Sequence, residues 1–217
     1  MQPIFITGIG TAVGKTLVAA IITEALQADY WKPVQAGYAN GTDSEWIKSV
    51  VSNPLSTVHP ELYKLKLAAS PHIAARQEGV EIQLDAIGGR LEAISGYPRH
   101  TPGGRLIIEG AGGLLVPLND RERIIDLIKK LNAQVIIVSR NYLGSINHSL
   151  LTAQVCRSGH LEILGWVFND RYLDYESEIV KWTGIRTLAS IPFSEHPDKA
   201  FVHKQAEMIK PILMNIL

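Results

Sequence analysis

The sequence predicts a single α/β domain over residues 1–217: a doubly wound, mostly parallel sheet flanked by helices. Three observations lead to it. Short β-rich apolar runs alternate with longer segments of helical period. Two of the runs, Arg105 to Glu109 and Gln134 to Ser139, are apolar almost without interruption, as strands covered on both faces must be. The first run passes directly into a glycine-rich turn and a helical segment, the start of a right-handed crossover. In sheets of this kind ligands sit at the carboxyl ends of the strands, so the loops there are where chemistry is expected.

The elements follow in order. Ile4-Phe5-Ile6 is the first strand, and apolar residues at helical spacing run from Gly14 to about Leu26. Tyr30 to Val34 is a second short strand. Gly37 to Thr42 is a polar loop, and Asp43 is the expected N-cap of a helix reaching about Val51. Ser70 and Pro71 read as N-cap and first residue of a helix that ends near Gly79. Asp85 to Ile94 is helical in spite of Gly88 and Gly89. A helix from Arg123 to Leu131 separates the two apolar strands, and Ser145 to Arg157 is the next. Gly165 to Phe168 is a strand stopping at Asn169-Asp170, and Thr187 to Ile191 is the last. The tail from Asp198 is helical, with Pro211 expected to kink or end it.

Composition excludes several functions. Lys+Arg and Asp+Glu are both 21, so no long-range field draws the chain to nucleic acid or to an anionic membrane. The single cysteine, Cys156, allows no internal disulfide and no thiolate metal cluster. The start Met1-Gln2-Pro3 lacks the basic region of a secretory signal, and no apolar run reaches the ~18 residues of a membrane span. A cytoplasmic protein is expected.

The chemistry begins after the first strand, at Gly8-Ile9-Gly10-Thr11-Ala12-Val13-Gly14-Lys15-Thr16. Strand, glycine loop, Gly-Lys-Thr and helix is the layout of a phosphate-binding loop. Backbone N–H groups wrap the phosphates, the lysine reaches the outer oxygens, and the threonine hydroxyl serves Mg²⁺. The spacing departs from the general motif: five residues separate Gly8 from Gly14, where the usual pattern has four. The strand Leu106-Ile107-Ile108-Glu109 ends in a carboxylate followed by glycines, a place from which it can complete a Mg²⁺ shell. Lys32, at the end of an apolar strand before Pro33, either finds a partner for its ammonium, which an anionic ligand would supply, or reaches round to solvent. Asp43 either caps its helix or caps it and also binds metal. Cys156 reads as a packed thiol, and His72 and His148, isolated from other ligating residues, as structural.

Taken together, these blocks resemble one family. The Gly-x5-Gly-Lys-Thr loop, Lys32-Pro33-Val34, Ser70-Pro71-His72, Glu109 to Gly113, Leu143 to His148 and Gly165 to Asp170 stand in the order found in dethiobiotin synthetases, whose loop has the same five-residue gap. The resemblance implies capture of CO₂ as a carbamate on one amine of 7,8-diaminopelargonate, phosphorylation by ATP, and ring closure by the second amine. It implies Lys15, Lys32 and Thr11 as catalytic residues, and Thr16, Asp43 and Glu109 as holders of Mg²⁺. ATP falls to Gly10, Thr11, Ala12, Val13, Gly14, Lys15 and Thr16, with Asn169 and Pro192 at the adenine. The diamine falls to Lys32, Pro71, Gly110 and Gly112, and to Gly144, Ser145, Ile146 and Asn147 from the neighbouring subunit of a homodimer. Two positions depart from the family pattern: Ala12 stands where a glutamate is common, and Ala36 where a hydroxyl faces the carbamate. Two rivals share the fold. A cobyrinate-type amide synthase needs a further glutamine-hydrolysing domain with a nucleophilic cysteine. A ParA/MinD-like ATPase needs a second lysine five residues before Lys15, where Gly10 stands.

Overall fold

The structure, a computed structural model, describes residues 2–96 and 104–217. Its first half holds β1 (Ile4–Gly8), α1 (Lys15–Leu26), β2 (Asp29–Trp31), β3 (Val34–Ala36), α2 (Asp43–Val50), β4 (Val58–His59), β5 (Tyr63–Leu65), α3 (Pro71–Gln77) and α4 (Leu84–Gly96). The second holds β6 (Leu106–Gly113), α5 (Ile124–Lys130), β7 (Gln134–Arg140), α6 (Ser145–Ser158), β8 (Ile163–Asn169), α7 (Tyr175–Thr183), β9 (Thr187–Ile191) and α8 (Lys199–Met214).

Seven strands form one sheet in the order β4-β2-β6-β1-β7-β8-β9, with parallel pairing throughout. The expected doubly wound α/β architecture is present. Alternate residues of the central strands feed opposite faces, which is why these strands read as unbroken apolar runs. Phe5, Ile108, Val135 and Phe168 join one core with Ala74, Ile87, Ile124 and Ile179 of the helices on that side. Ile4, Ile6, Ile107 and Val138 join the other, with Val18 of α1, Ile47 of α2 and Ile209 of α8.

Three expectations need correction. The strand expected over Tyr30 to Val34 is two strands in two sheets. β2 ends at Trp31, the Lys32-Pro33 step leaves the main sheet, and β3 pairs with β5 in a separate two-stranded sheet. Proline fixes its φ and has no N–H to offer a ladder, so the step sits where pairing stops. The cap of α2 is Thr42, not Asp43. Thr42 Oγ1 accepts from Glu45 N at 3.1 Å while Glu45 Oε2 accepts from Thr42 N at 2.8 Å, a reciprocal capping box. The carboxylate of Asp43 is thereby released for other work. Ser70 and Pro71 do stand as N-cap and first residue of α3, although the Ser70 cap works through its carbonyl, which accepts from Ala74 N at 3.1 Å, and not through its side chain. Pro211 does not end α8, because Ile209 and Leu213, both buried, hold the last turn against the core. α7 was not expected, as only Ile179 and Thr183 of it are buried.

Candidate active site

The phosphate loop lies at the carboxyl end of β1, with the ends of β6 and β7 on either side. Gly14 is the N-cap of α1 with φ 90°, and a Cβ there would collide with the side-chain amide of Asn169. Both the backbone conformation and the close approach therefore require glycine. Asn169, at the end of β8, donates from Nδ2 to the Val13 carbonyl at 2.6 Å. Its Oδ1 is buried and has no hydrogen-bond partner among the described residues. Ala12 has φ 56°, a left-handed conformation that a residue with a Cβ rarely adopts, so the loop holds strain where it faces the cavity.

A charged cluster sits beside the loop. Glu109 on β6 is 1% exposed, and its Oε1 accepts from Thr16 Oγ1 at 2.9 Å and from Lys32 Nζ at 2.9 Å. Its other oxygen, Oε2, accepts from the Tyr30 hydroxyl at 2.7 Å. Lys32 Nζ also donates to Asp43 Oδ2, so one ammonium bridges two carboxylates. A partner was expected for this ammonium; the protein's own Glu109 and Asp43 provide it. Burial works against the Lys32 ammonium, but those two carboxylates outweigh it and raise its pKa. Lys15, also buried, donates to the Gly10 carbonyl at 2.8 Å. Burial lowers its pKa to about 8; Glu109 and Asp43 pull the other way, and Lys32 adds to the lowering. The Tyr30 phenol, fully buried against Glu109, is pushed well above its usual value by burial first and then by that charge, so it stays a proton donor.

Lys15, Thr16, Lys32, Asp43 and Glu109 open onto one cavity of about 790 Å³. It has room for a triphosphate chain and a small substrate together. Its lining includes Thr11, Lys15, Thr16, Lys32, Asp43 and Glu109, together with Ala36, Pro71 and Gly112.

With this geometry in view, three curated relatives are informative. ATP-dependent dethiobiotin synthetase BioD of Cytophaga hutchinsonii is 51% identical over 93% of this chain and 94% of its own. The proteins of the same name from Christiangramia forsetii (98% of each chain) and Rhodopseudomonas palustris (87% of this chain and 86% of its own) are 42% and 40% identical. The family model described as an AAA domain matches residues 2–200. The chain belongs to the dethiobiotin synthetase family.

Solved structures agree on the fold alone. The MinD cell division ATPase of Pyrococcus furiosus superposes with TM-score 0.58 at 15% identity, covering 98% of this chain and 100% of its own. MinD of Pyrococcus horikoshii, complexed with Mg-ADP, gives 0.55 at 16%, over 97% of this chain and 90% of its own.

Several dethiobiotin synthetase positions expected from the sequence lie off the cavity wall. Val13 is 3% exposed, so only its backbone is available to phosphate. Gly10 faces a neighbouring hollow of about 430 Å³ with Leu115 and Leu151. Gly110 turns its missing Cβ toward the Phe5 ring, which gives that glycine a packing reason. Pro192 is exposed just beyond β9 and is not part of the cavity wall. Gly144, Ser145, Ile146 and Asn147 form the start of α6 and do not line this chain's own cavity. Asn147 lines a separate groove with Leu151 and Trp182. Sequence reasoning missed Tyr30 and Gln35. The Gln35 Oε1 accepts from Asp43 N at 3.4 Å, and its side chain lines the cavity. A glutamine following Lys-Pro-Val was a signal for the second; nothing marked the first.

Proposed function

We propose that this chain is an ATP- and Mg²⁺-dependent dethiobiotin synthetase acting on 7,8-diaminopelargonate and CO₂. The observation that carries the reading is the pair of buried lysines, Lys15 and Lys32, on one cavity wall: two cations for the two anions, ATP and a carbamate, that the reaction must hold together. Preorganised charge in a dry site is what phosphoryl transfer requires, more than an acid–base pair. A carbamate oxygen attacks the γ-phosphorus with release of ADP. The second amine then attacks the carbonyl carbon, phosphate departs, and the cyclic urea closes. Lys15 and Lys32 hold the phosphoryl group and the carbamate in line, and the Gly112 wall admits the substrate against bare backbone.

The oxygen donors of Thr16, Asp43 and Glu109, together on the cavity wall, fit Mg²⁺, which takes one or two carboxylates and completes its shell with phosphate oxygens and water. When bound, the metal neutralises charge on the phosphates. The Asn169 Oδ1, buried and unpartnered, suits the amino group of adenine. The start of α6 offers N–H groups to the distant carboxylate of the substrate across a two-fold axis, as a homodimer with shared sites would require. Among the described residues no helix is long and apolar enough to cross a membrane.

Phosphate release measured with and without 7,8-diaminopelargonate tests this. Release should depend on the diamine and on bicarbonate. Steady hydrolysis indifferent to both would favour a switching ATPase.

A further inference from the structure

Glu109 divides its two oxygens between two environments. Oε1 meets Thr16 and Lys32, both of which line the cavity, whereas Oε2 meets Tyr30, which does not. Tyr30 is 0% exposed and belongs to the apolar core that includes Ile47 and Ile107. Its backbone is locked between Thr57 and β6, with Tyr30 opposite Ile107 in register. Among the described residues Glu109 is the hydrogen-bond partner of its hydroxyl. A phenol so placed cannot turn to water if that bond is lost, and an orphaned buried hydroxyl is costly.

We propose that Tyr30 fixes Glu109 as a one-oxygen ligand and thereby makes the site prefer Mg²⁺ over larger divalent cations such as Ca²⁺. This rests on the reading of Glu109 as a metal ligand. Mg²⁺ keeps an octahedral shell rich in water and takes a single carboxylate oxygen, which leaves the Tyr30 bond intact. Ca²⁺ accepts more oxygens and is well served by a carboxylate that gives both. To give both, Glu109 must surrender its bond to Tyr30. Tyr30 is thus a positioning and selectivity residue: it touches neither substrate nor metal and acts through the carboxylate it holds.

The test is competition against Mn²⁺ bound to the protein–ADP complex, with free Mn²⁺ read by electron paramagnetic resonance. Mg²⁺ and Ca²⁺ are each titrated into wild type, Tyr30→Phe and Glu109→Gln. The ratio of Ca²⁺ to Mg²⁺ affinity should rise about fivefold in Tyr30→Phe, the worth of one hydrogen bond. A Tyr30 that only fills the core would alter melting and leave the ratio alone, and an unchanged ratio overturns the proposal. Glu109→Gln separates the two readings. If it binds metal as wild type does, Glu109 is no ligand and both readings fall; if it loses metal while Tyr30→Phe keeps the wild-type ratio, only the role of Tyr30 falls. Should Tyr30→Phe not fold, infrared spectra of wild type labelled with ¹³C-carboxyl glutamate decide the matter, with Glu109→Gln as the blank. A wide separation of the two carboxylate stretches with Mg²⁺ marks one-oxygen ligation, and a narrow one overturns the proposal.

Discussion

Asn169 donates to the Val13 carbonyl at 2.6 Å and so ties the end of β8 to the phosphate loop, across more than half the chain. The donor half of the amide is used by the fold, and the acceptor half is buried with no partner among the described residues. On the proposed reading an amino group on the base would satisfy that acceptor, while a guanine carbonyl would set oxygen against oxygen. ATP should therefore exceed GTP in kcat/KM by at least about tenfold. In Asn169→Ala that preference should shrink and nucleotide affinity fall, which steady-state kinetics on both nucleotides will show. A preference unchanged in the variant would place base recognition elsewhere.

Lys32→Ala should be hurt in two separable ways. It should impair use of the diamine more than the affinity for ATP, because Lys32 lies outside the loop that grips the nucleotide. It should also leave Glu109 and Asp43 facing each other without their shared cation. Breaking such a buried pair costs roughly 3–5 kcal/mol, a fall on the order of 10 °C in Tm for a chain of this size. Mg²⁺ can replace the missing charge, so the fall should be large in EDTA and smaller with Mg²⁺. An equal fall in both would contradict the carboxylates' place at the metal.

Glu24 sets part of the acid sensitivity of the fold. Its carboxylate, on α1, accepts from Ser52 N at 2.8 Å, Ser52 Oγ at 2.7 Å, Asn53 N at 3.1 Å and Asn53 Nδ2 at 3.1 Å. Burial opposes its charge, and these bonds outweigh burial, so its pKa drops from 4.5 to about 2. A depressed carboxylate contributes stability that is full above the unfolded value and is lost as pH falls through the folded one. The loss should span roughly pH 4.5 to 2 in wild type. Glu24→Gln should be less stable at neutral pH by roughly 1–3 kcal/mol and should lose less than wild type over that acid window. Denaturant midpoints at several pH values measure both.

Mixed dimers test whether the sites are shared between subunits, as proposed. Lys15→Ala has a broken loop and an intact α6 start; Asn147→Glu has the reverse, at an exposed position that the fold tolerates. Each alone should be nearly inactive. Mixed and allowed to exchange, they should recover about one quarter of wild-type activity, since half the dimers then carry one intact site. No recovery with heterodimers demonstrated would show that each site is built from one chain.

Much of this site was legible before the structure because its residues sit where strand ends must place them. Glu109 closes an apolar run, and Lys15 opens a helix after a glycine turn; both patterns carry their own geometry. Lys32 stood out as a charge at the end of an apolar strand, although its partners, Asp43 and Glu109, are brought to it by the fold. The cap of α2 was misread by one residue because Thr42 and Asp43 are both good caps, and only the bond to Glu45 N chooses between them. β4 and β5 carry too few apolar residues to show a period. Tyr30 was invisible as chemistry, since an aromatic residue in a buried strand is accounted for by packing alone until its hydroxyl is seen on Glu109.

The most direct measurement supplies ATP, Mg²⁺, ¹³C-bicarbonate and 7,8-diaminopelargonate, and follows product by mass. Dethiobiotin carrying a single ¹³C, formed together with one ADP and one phosphate, is the expected result. Lys15→Ala, folded as judged by circular dichroism, should form it at least about a hundredfold more slowly, the loss expected when one contact to developing phosphoryl charge is removed. Phosphate released with no labelled dethiobiotin, or a folded Lys15→Ala that turns over at the wild-type rate, would contradict the account.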